Sequence, residues 1–129
     1  MSIDITWTPA TQIAFTWSPT MATVANFSFY KGEDVTITDT ASPVTNITGW
    51  SLQFTVRKQY GDATALITKT VGAGITITDA TNGVFKVAIA NGDTANLAPG
   101  AYVYDIQRID AGFRTVLSTG TMNILPEVY

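Results

Sequence analysis

The sequence predicts an all-β chain: an antiparallel β-sandwich of about seven or eight strands behind an extended N-terminal arm. Three observations predict it. Trp50, Leu52, Phe54 and Val56 alternate with Ser51, Gln53, Thr55 and Arg57, a strict period of two that marks a strand with one buried face. Turn signals recur at intervals of roughly 8–15 residues, with no convincing helix between them. The stretch Leu97-Ala98-Pro99-Gly100-Ala101-Tyr102-Val103-Tyr104-Asp105 reads as a tight turn feeding a strand, with a tyrosine where the strand begins.

Taken in order, residues 1–24 differ from the rest. Ile5-Thr6-Trp7-Thr8-Pro9 is echoed by Phe15-Thr16-Trp17-Ser18-Pro19, and Asp4 is the only charged side chain before Val24. Each half reads as a short extended run ending at a proline, which disfavours a central strand position. This segment is expected to be an arm, or a capping hairpin, leaving residues 25–129 as the sandwich. From Ala25 the pattern is β throughout. Phe27 and Phe29 alternate with Ser28 and Tyr30, and Lys31-Gly32-Glu33-Asp34 turns into Val35-Thr36-Ile37-Thr38. A loop from Asp39 to Gly49 precedes the strand at Trp50, whose tryptophan is read as facing the core.

Beyond it, Tyr60-Gly61-Asp62 turns the chain into Ala65–Thr70, and Gly72 and Gly74 lead to Ile75–Thr78. Asn82-Gly83 is a two-residue hairpin signal ahead of Phe85, Val87 and Ile89. Asn91–Leu97 lacks alternation and predicts one helical turn capped by Asp93 or Thr94. Strands at Tyr102–Arg108 and Thr115–Leu125 close the domain.

At 129 residues the chain is sized for one domain, able to bury roughly two thirds of its unfolded surface. It has no cysteine and no histidine, which removes disulfides, thiolate metal ligands and the commonest general base. Seven basic and ten acidic residues leave a net charge of -3, unlike the basic footprint of nucleic-acid binding. Charged residues make up only 13% of the chain, about half the usual share. Threonine, 22 residues in all, carries the surface polarity instead. Such an exterior suits a protein packed among neighbours, because burying a charge costs several kcal/mol; it equally suits the polar outer face of any all-β domain. Met1-Ser2-Ile3-Asp4 lacks the start of a secretory signal, and no window approaches the roughly 18 apolar residues that span a bilayer.

No catalytic, cofactor or metal residues emerge. Asp34, Asp39, Asp62, Asp79, Asp93, Asp105 and Asp110 are scattered, most beside turn residues where aspartate bonds local backbone. Ser51 and Ser118 have no histidine to activate them, and no nucleophile elbow is present. The aromatics Trp7, Trp17, Tyr30, Tyr60, Phe113 and Tyr129 are candidates to lie outside the main core, as interface anchors or as a sugar-stacking platform. Within the arm, Trp7, Phe15 and Trp17 are expected to bury apolar area against a neighbouring subunit. Pro9 and Pro19 would limit the ordering entropy lost.

The Tyr102 corner resembles that of immunoglobulin-like sandwiches, where a tyrosine hydroxyl bonds back to backbone a few residues upstream. Four segments in order extend the resemblance: Phe29–Asp34, Ile47–Lys58, Asn82–Phe85 and Leu97–Ile106, with Gly120–Pro126 as a proline-marked exit. Over roughly residues 27–126 the chain resembles small tailed-bacteriophage virion proteins with Ig-like β-sandwiches, among them the N-terminal domains of baseplate upper proteins. The resemblance implies a non-enzymatic decoration, connector, tail or baseplate component made in the host cytoplasm. Its partners would be other virion proteins and copies of itself, with no nucleic acid or membrane and no cofactor. A carbohydrate- or host-surface-binding module, taking a surface glycan, is the alternative expectation.

Overall fold

A computed structural model describes residues 11–110 and 114–126. Ten strands and one helical turn follow in order: β1 Thr11–Trp17, β2 Thr23–Val24, β3 Phe27–Tyr30, β4 Val35–Ala41, β5 Leu52–Arg57, β6 Ile67–Val71, β7 Gly74–Asp79, β8 Val84–Ile89, α1 Asn91–Thr94, β9 Gly100–Arg108 and β10 Thr115–Leu125. They form one sheet ordered β1-β4-β8-β7-β6-β5-β9-β10-β2, with β3 also paired to β10. The sheet curls on itself, nearly closed, between a barrel and a sandwich.

Two expectations change here. The pairing is mixed rather than antiparallel: β1 with β4, β6 with β7, and β10 with both β2 and β3 run parallel. Period-two alternation says which face a residue takes and is silent on strand direction. The count is ten, and the additional strands, β1 and β2, come from the segment expected to be an arm. β1 lies in register with β4 from Thr11–Val35 to Trp17–Ala41, so residues 11–17 belong to the same sheet as the rest.

Inward positions build a continuous apolar interior that includes Trp17, Ile37, Phe54, Phe85, Tyr104 and Ile106, each essentially without solvent contact. Each contributes roughly 1.5–3 kcal/mol by burial. Trp50 sits just before β5, half-buried between the Trp17 ring at 5.6 Å and the Arg108 guanidinium at 4.0 Å. The corner before β9 is as expected: buried Tyr102 donates its hydroxyl to Ala98 O at 2.6 Å.

Elsewhere the local chemistry departs from expectation. A register shift between Ile77 and Asp79 leaves a four-residue connection, 80–83, closed by Gly83 N–H to Ala80 O at 3.2 Å, rather than a two-residue Asn82-Gly83 turn. Gly83 has φ +73°, and a Cβ there would fall 2.5 Å from Thr45 O. At α1 the capping position is Ala90, whose N–H donates to the Asp93 carboxylate at 2.8 Å. Thr94 is fully buried and its hydroxyl accepts from Gly32 N–H at 3.1 Å, so neither predicted cap holds the N-cap position.

Candidate functional site

The residues expected to reach a neighbour divide three ways. Trp17 is 1% exposed; its indole N–H donates to Gly83 O at 3.0 Å, and its ring lies 6.4 Å from Phe85. Phe15, half-buried, meets Phe27 edge-on at 5.6 Å and stacks on Tyr104 at 6.1 Å. Trp17 belongs to the core of its own chain and Phe15 packs partly buried against that core, because pairing with β4 turns alternate β1 side chains inward. Pro19 is half-buried in the turn after β1. Trp7 and Pro9 lie outside the described residues.

Among the described residues, the large apolar side chains left in solvent here are different: Met21 and Val24, each 73% exposed, and, just beyond the segment, Tyr30 at 52%. β2 and β3 lie against β10, Val24 opposite Thr119 and Tyr30 opposite Leu125. The jog between them is clasped. Ala25 N–H donates to Thr119 O at 2.9 Å, the Tyr104 hydroxyl donates to Ala25 O, and Asn26 Oδ1 accepts from Thr121 N–H at 2.8 Å. Gly120 permits this approach, since a Cβ there would stand 2.1 Å from Ala25 O.

Tyr60, 66% exposed on the loop after β5, reaches the Thr119 hydroxyl at 3.2 Å. Val24, Thr119 and Tyr60 therefore form one half-apolar patch. Beside it opens a cleft of about 190 Å³ whose lining includes Thr55, Arg57, Tyr60, Asp62 and Asp105. Single exposed apolar groups are ordinary; contiguous ones beside a concavity mark contact surfaces. The aromatic platform considered for sugar does not assemble from the described residues. The β10 partners of Val24 and Tyr30, Thr119 and Leu125, are six residues apart, so Tyr30 stands roughly 20 Å along the strand from the Tyr60 patch. Trp7, Phe113 and Tyr129 lie outside the described residues.

The aspartates separate into two groups. Asp34, Asp62, Asp79, Asp93 and Asp110 each accept a backbone N–H, as their turn positions predict. The Ser51 amide, chiefly, holds the Asp110 carboxyl below its usual range. Asp39 and Asp105 are the exceptions, and each keeps a buried Oδ1 without a hydrogen-bond partner. Asp105 lines the cleft and takes its one side-chain bond from Gln107 at 3.0 Å.

Asp39 was expected in a loop, but β4 runs on through Ala41 and turns it into the interior. Burial pushes its carboxyl up to about 7, against the opposing hydrogen bonds of the Ser118 hydroxyl and the Thr40 amide. The signal was available: the inward period of Val35 and Ile37 lands next on residue 39. Among the described residues no three histidine, cysteine or acidic side chains group to hold a metal ion. No helix there is long and apolar enough to cross a membrane.

No protein-family model and no curated protein matches the chain. Among solved structures, the "N-terminal domain of phage TP901-1 ORF48" matches with a TM-score of 0.53 at 13% identity, covering 88% of this chain and 98% of that one. Auracyanin B matches at 0.47 and 14% identity, covering 95% and 94%. The NK cell receptor Nkp44 matches at 0.43 and 17% identity, covering 81% and 99%. At 13% identity the likeness to the ORF48 domain is one of fold, a β-sandwich-like layout shared over nearly all of that domain.

Proposed function

We propose that this chain is a non-enzymatic structural protein of a bacteriophage virion, an Ig-like block serving as a decoration, connector, tail or baseplate component. The observation that carries the reading is the fold shared with the phage ORF48 domain across 98% of that domain. The low charge and the unpartnered apolar flank along β10 support it. Docking then uses Met21, Val24 and Tyr60 together with the open sheet edges. Copy number multiplies weak contacts by effective concentration. Other virion subunits and copies of this chain are the partners, and the virion is its destination after synthesis in the host cytoplasm.

Mass spectrometry and cryo-electron microscopy of particles from cells carrying the gene test this. The chain is expected in stoichiometric, symmetric positions; its absence from purified particles sinks the reading. The sugar-binding alternative has less support, because Tyr104, which lines the cleft with Tyr60, is buried, and Tyr30, the other exposed aromatic among the described residues, stands roughly 20 Å away. A glycan array on the purified domain is therefore expected to be blank.

A further inference from the structure

Among the described residues one carboxyl is fully buried, that of Asp39. Along β4, Val35, Ile37, Asp39 and Ala41 face inward, and the ladders set Phe15 of β1 and Phe85 of β8 directly opposite Asp39. From across the interior, a bulge in β10 between Val116 and Ser118 buries Leu117 and Ser118 in succession. Ser118 Oγ thereby donates to Asp39 Oδ2 at 3.3 Å, joining two strands that are not neighbours in the sheet. Asp39 is 0% exposed and its Oδ1 is unpartnered. One long hydroxyl bond and an adjacent amide are too few for a buried carboxylate, which wants several donors or a cation, so this site favours the neutral acid.

The groups facing it are Phe15 from β1, Phe85 from β8, Tyr104 from β9 and Ser118 from β10. Tyr104 is the titratable member; burial, chiefly, and the nearby Asp39 hold its hydroxyl protonated. No charged side chain contributes to the Asp39 shift. Tyr104 also stacks on Phe15 and holds Ala25 O, so the surroundings of Asp39 touch both N-terminal attachments, β1 and the Ala25 clasp.

We propose that Asp39 is a protonation latch: neutral, it closes the seam between β4 and β10, and on losing its proton it admits water there and loosens β1 and the Ala25 clasp. The latch acts within the monomer and stands whether or not the protein docks in a virion.

The test follows the Asp39 carboxyl carbon by NMR, and amide exchange residue by residue, on the full chain between about pH 5.5 and 8.5. Asp39 is expected to titrate near neutrality. Across that step, β1 amides and Ala25 should lose about tenfold or more in protection after correction for intrinsic exchange, while β5 and β9 keep theirs. Asp39→Asn, shaped like the neutral acid, should hold protection constant. Ser118→Ala, which removes a donor to the carboxylate, should move the midpoint upward. An Asp39 midpoint in the ordinary carboxylate range, or the same loss of protection in Asp39→Asn, overturns the proposal. Should Asp39→Asn not fold, the wild-type titration and the Ser118→Ala displacement decide it.

Discussion

The outer face of β1, β4, β8 and β7 and the flank of β10 are built by the same low-charge chain and differ sharply. On the first, Thr36, Thr38 and Thr40 stand between Gln12, Ala14 and Thr16 on one side and Lys86 and Ala88 on the other. No large apolar side chain is exposed among the described residues of those strands. On the second, Val24 and Tyr60 lie in solvent beside Thr119, and Met21 is exposed two residues before β2. Threonine gives a pleated surface that hydrates without charge, so the first face is inert, whereas the second sets exposed Val24 and Tyr60 on either side of one threonine. The number of aromatics therefore says little about contact. Which strand edge brings them to the outside says more.

Gly120→Ala strikes the flank hardest. Its Cβ would meet the Ala25 carbonyl at 2.1 Å, backbone against backbone. A loss on the order of 3–5 kcal/mol is expected in urea denaturation; a loss under about 1 kcal/mol would mean β2 and β3 yield freely and the flank is not a fixed surface.

Next in size is the response to pH. The Asp39 carboxyl goes from 3.8 unfolded to about 7 folded, so the folded state binds the extra proton between those values. Its stabilisation is full below the unfolded value and falls as pH rises, by on the order of 4 kcal/mol in all, with none remaining above the folded value. Thermal unfolding across this range should show the decline in the wild type and lose it in Asp39→Asn. An unchanged slope in the variant would assign the decline to other groups.

Tyr102→Phe removes the hydroxyl that Ala98 O receives at 2.6 Å and should cost about 1–3 kcal/mol by chemical denaturation without altering docking. Lost docking at unchanged stability would make Tyr102 a contact residue. The smallest stability effects separate the two faces most directly. Val24→Glu and Tyr60→Glu should change stability by no more than about 0.5 kcal/mol yet exclude the protein from particles. Thr38→Glu, opposite Lys86, should leave both unchanged. Exclusion by Thr38→Glu with normal entry of Val24→Glu would reverse the assignment of the faces.

Much of the fold was legible. The runs at Phe27–Tyr30, Leu52–Arg57 and Thr115–Leu125 announce themselves by alternation, and the corner at Tyr102 by Pro99 and Gly100. β1 was hidden because Pro9 and Pro19 flank it and the repeated Trp-Thr/Ser-Pro runs around it look like an excluded segment. Its place depends on a parallel partner, β4, which local pattern does not name. The interior role of Asp39 was readable by extending the β4 period past Thr38, where a turn-forming residue type suggested a loop instead. The patch around Thr119 was not readable, because Val24 and Tyr60 meet only through a third strand.

The pairing of β2 with β10 has a consequence for synthesis. Val24 lies opposite Thr119, a separation of 119 − 24 = 95 positions. At about 5–20 residues per second on the ribosome, β2 waits roughly 5–20 seconds for its partner. Through that interval Val24 stands on a strand without a neighbour, with exposed Met21 just before it, the condition under which nascent chains associate with one another. β1 finds β4 early, whereas β2 and β3 stay unpaired until the last strand emerges, so this edge of the sheet closes only at the end of synthesis.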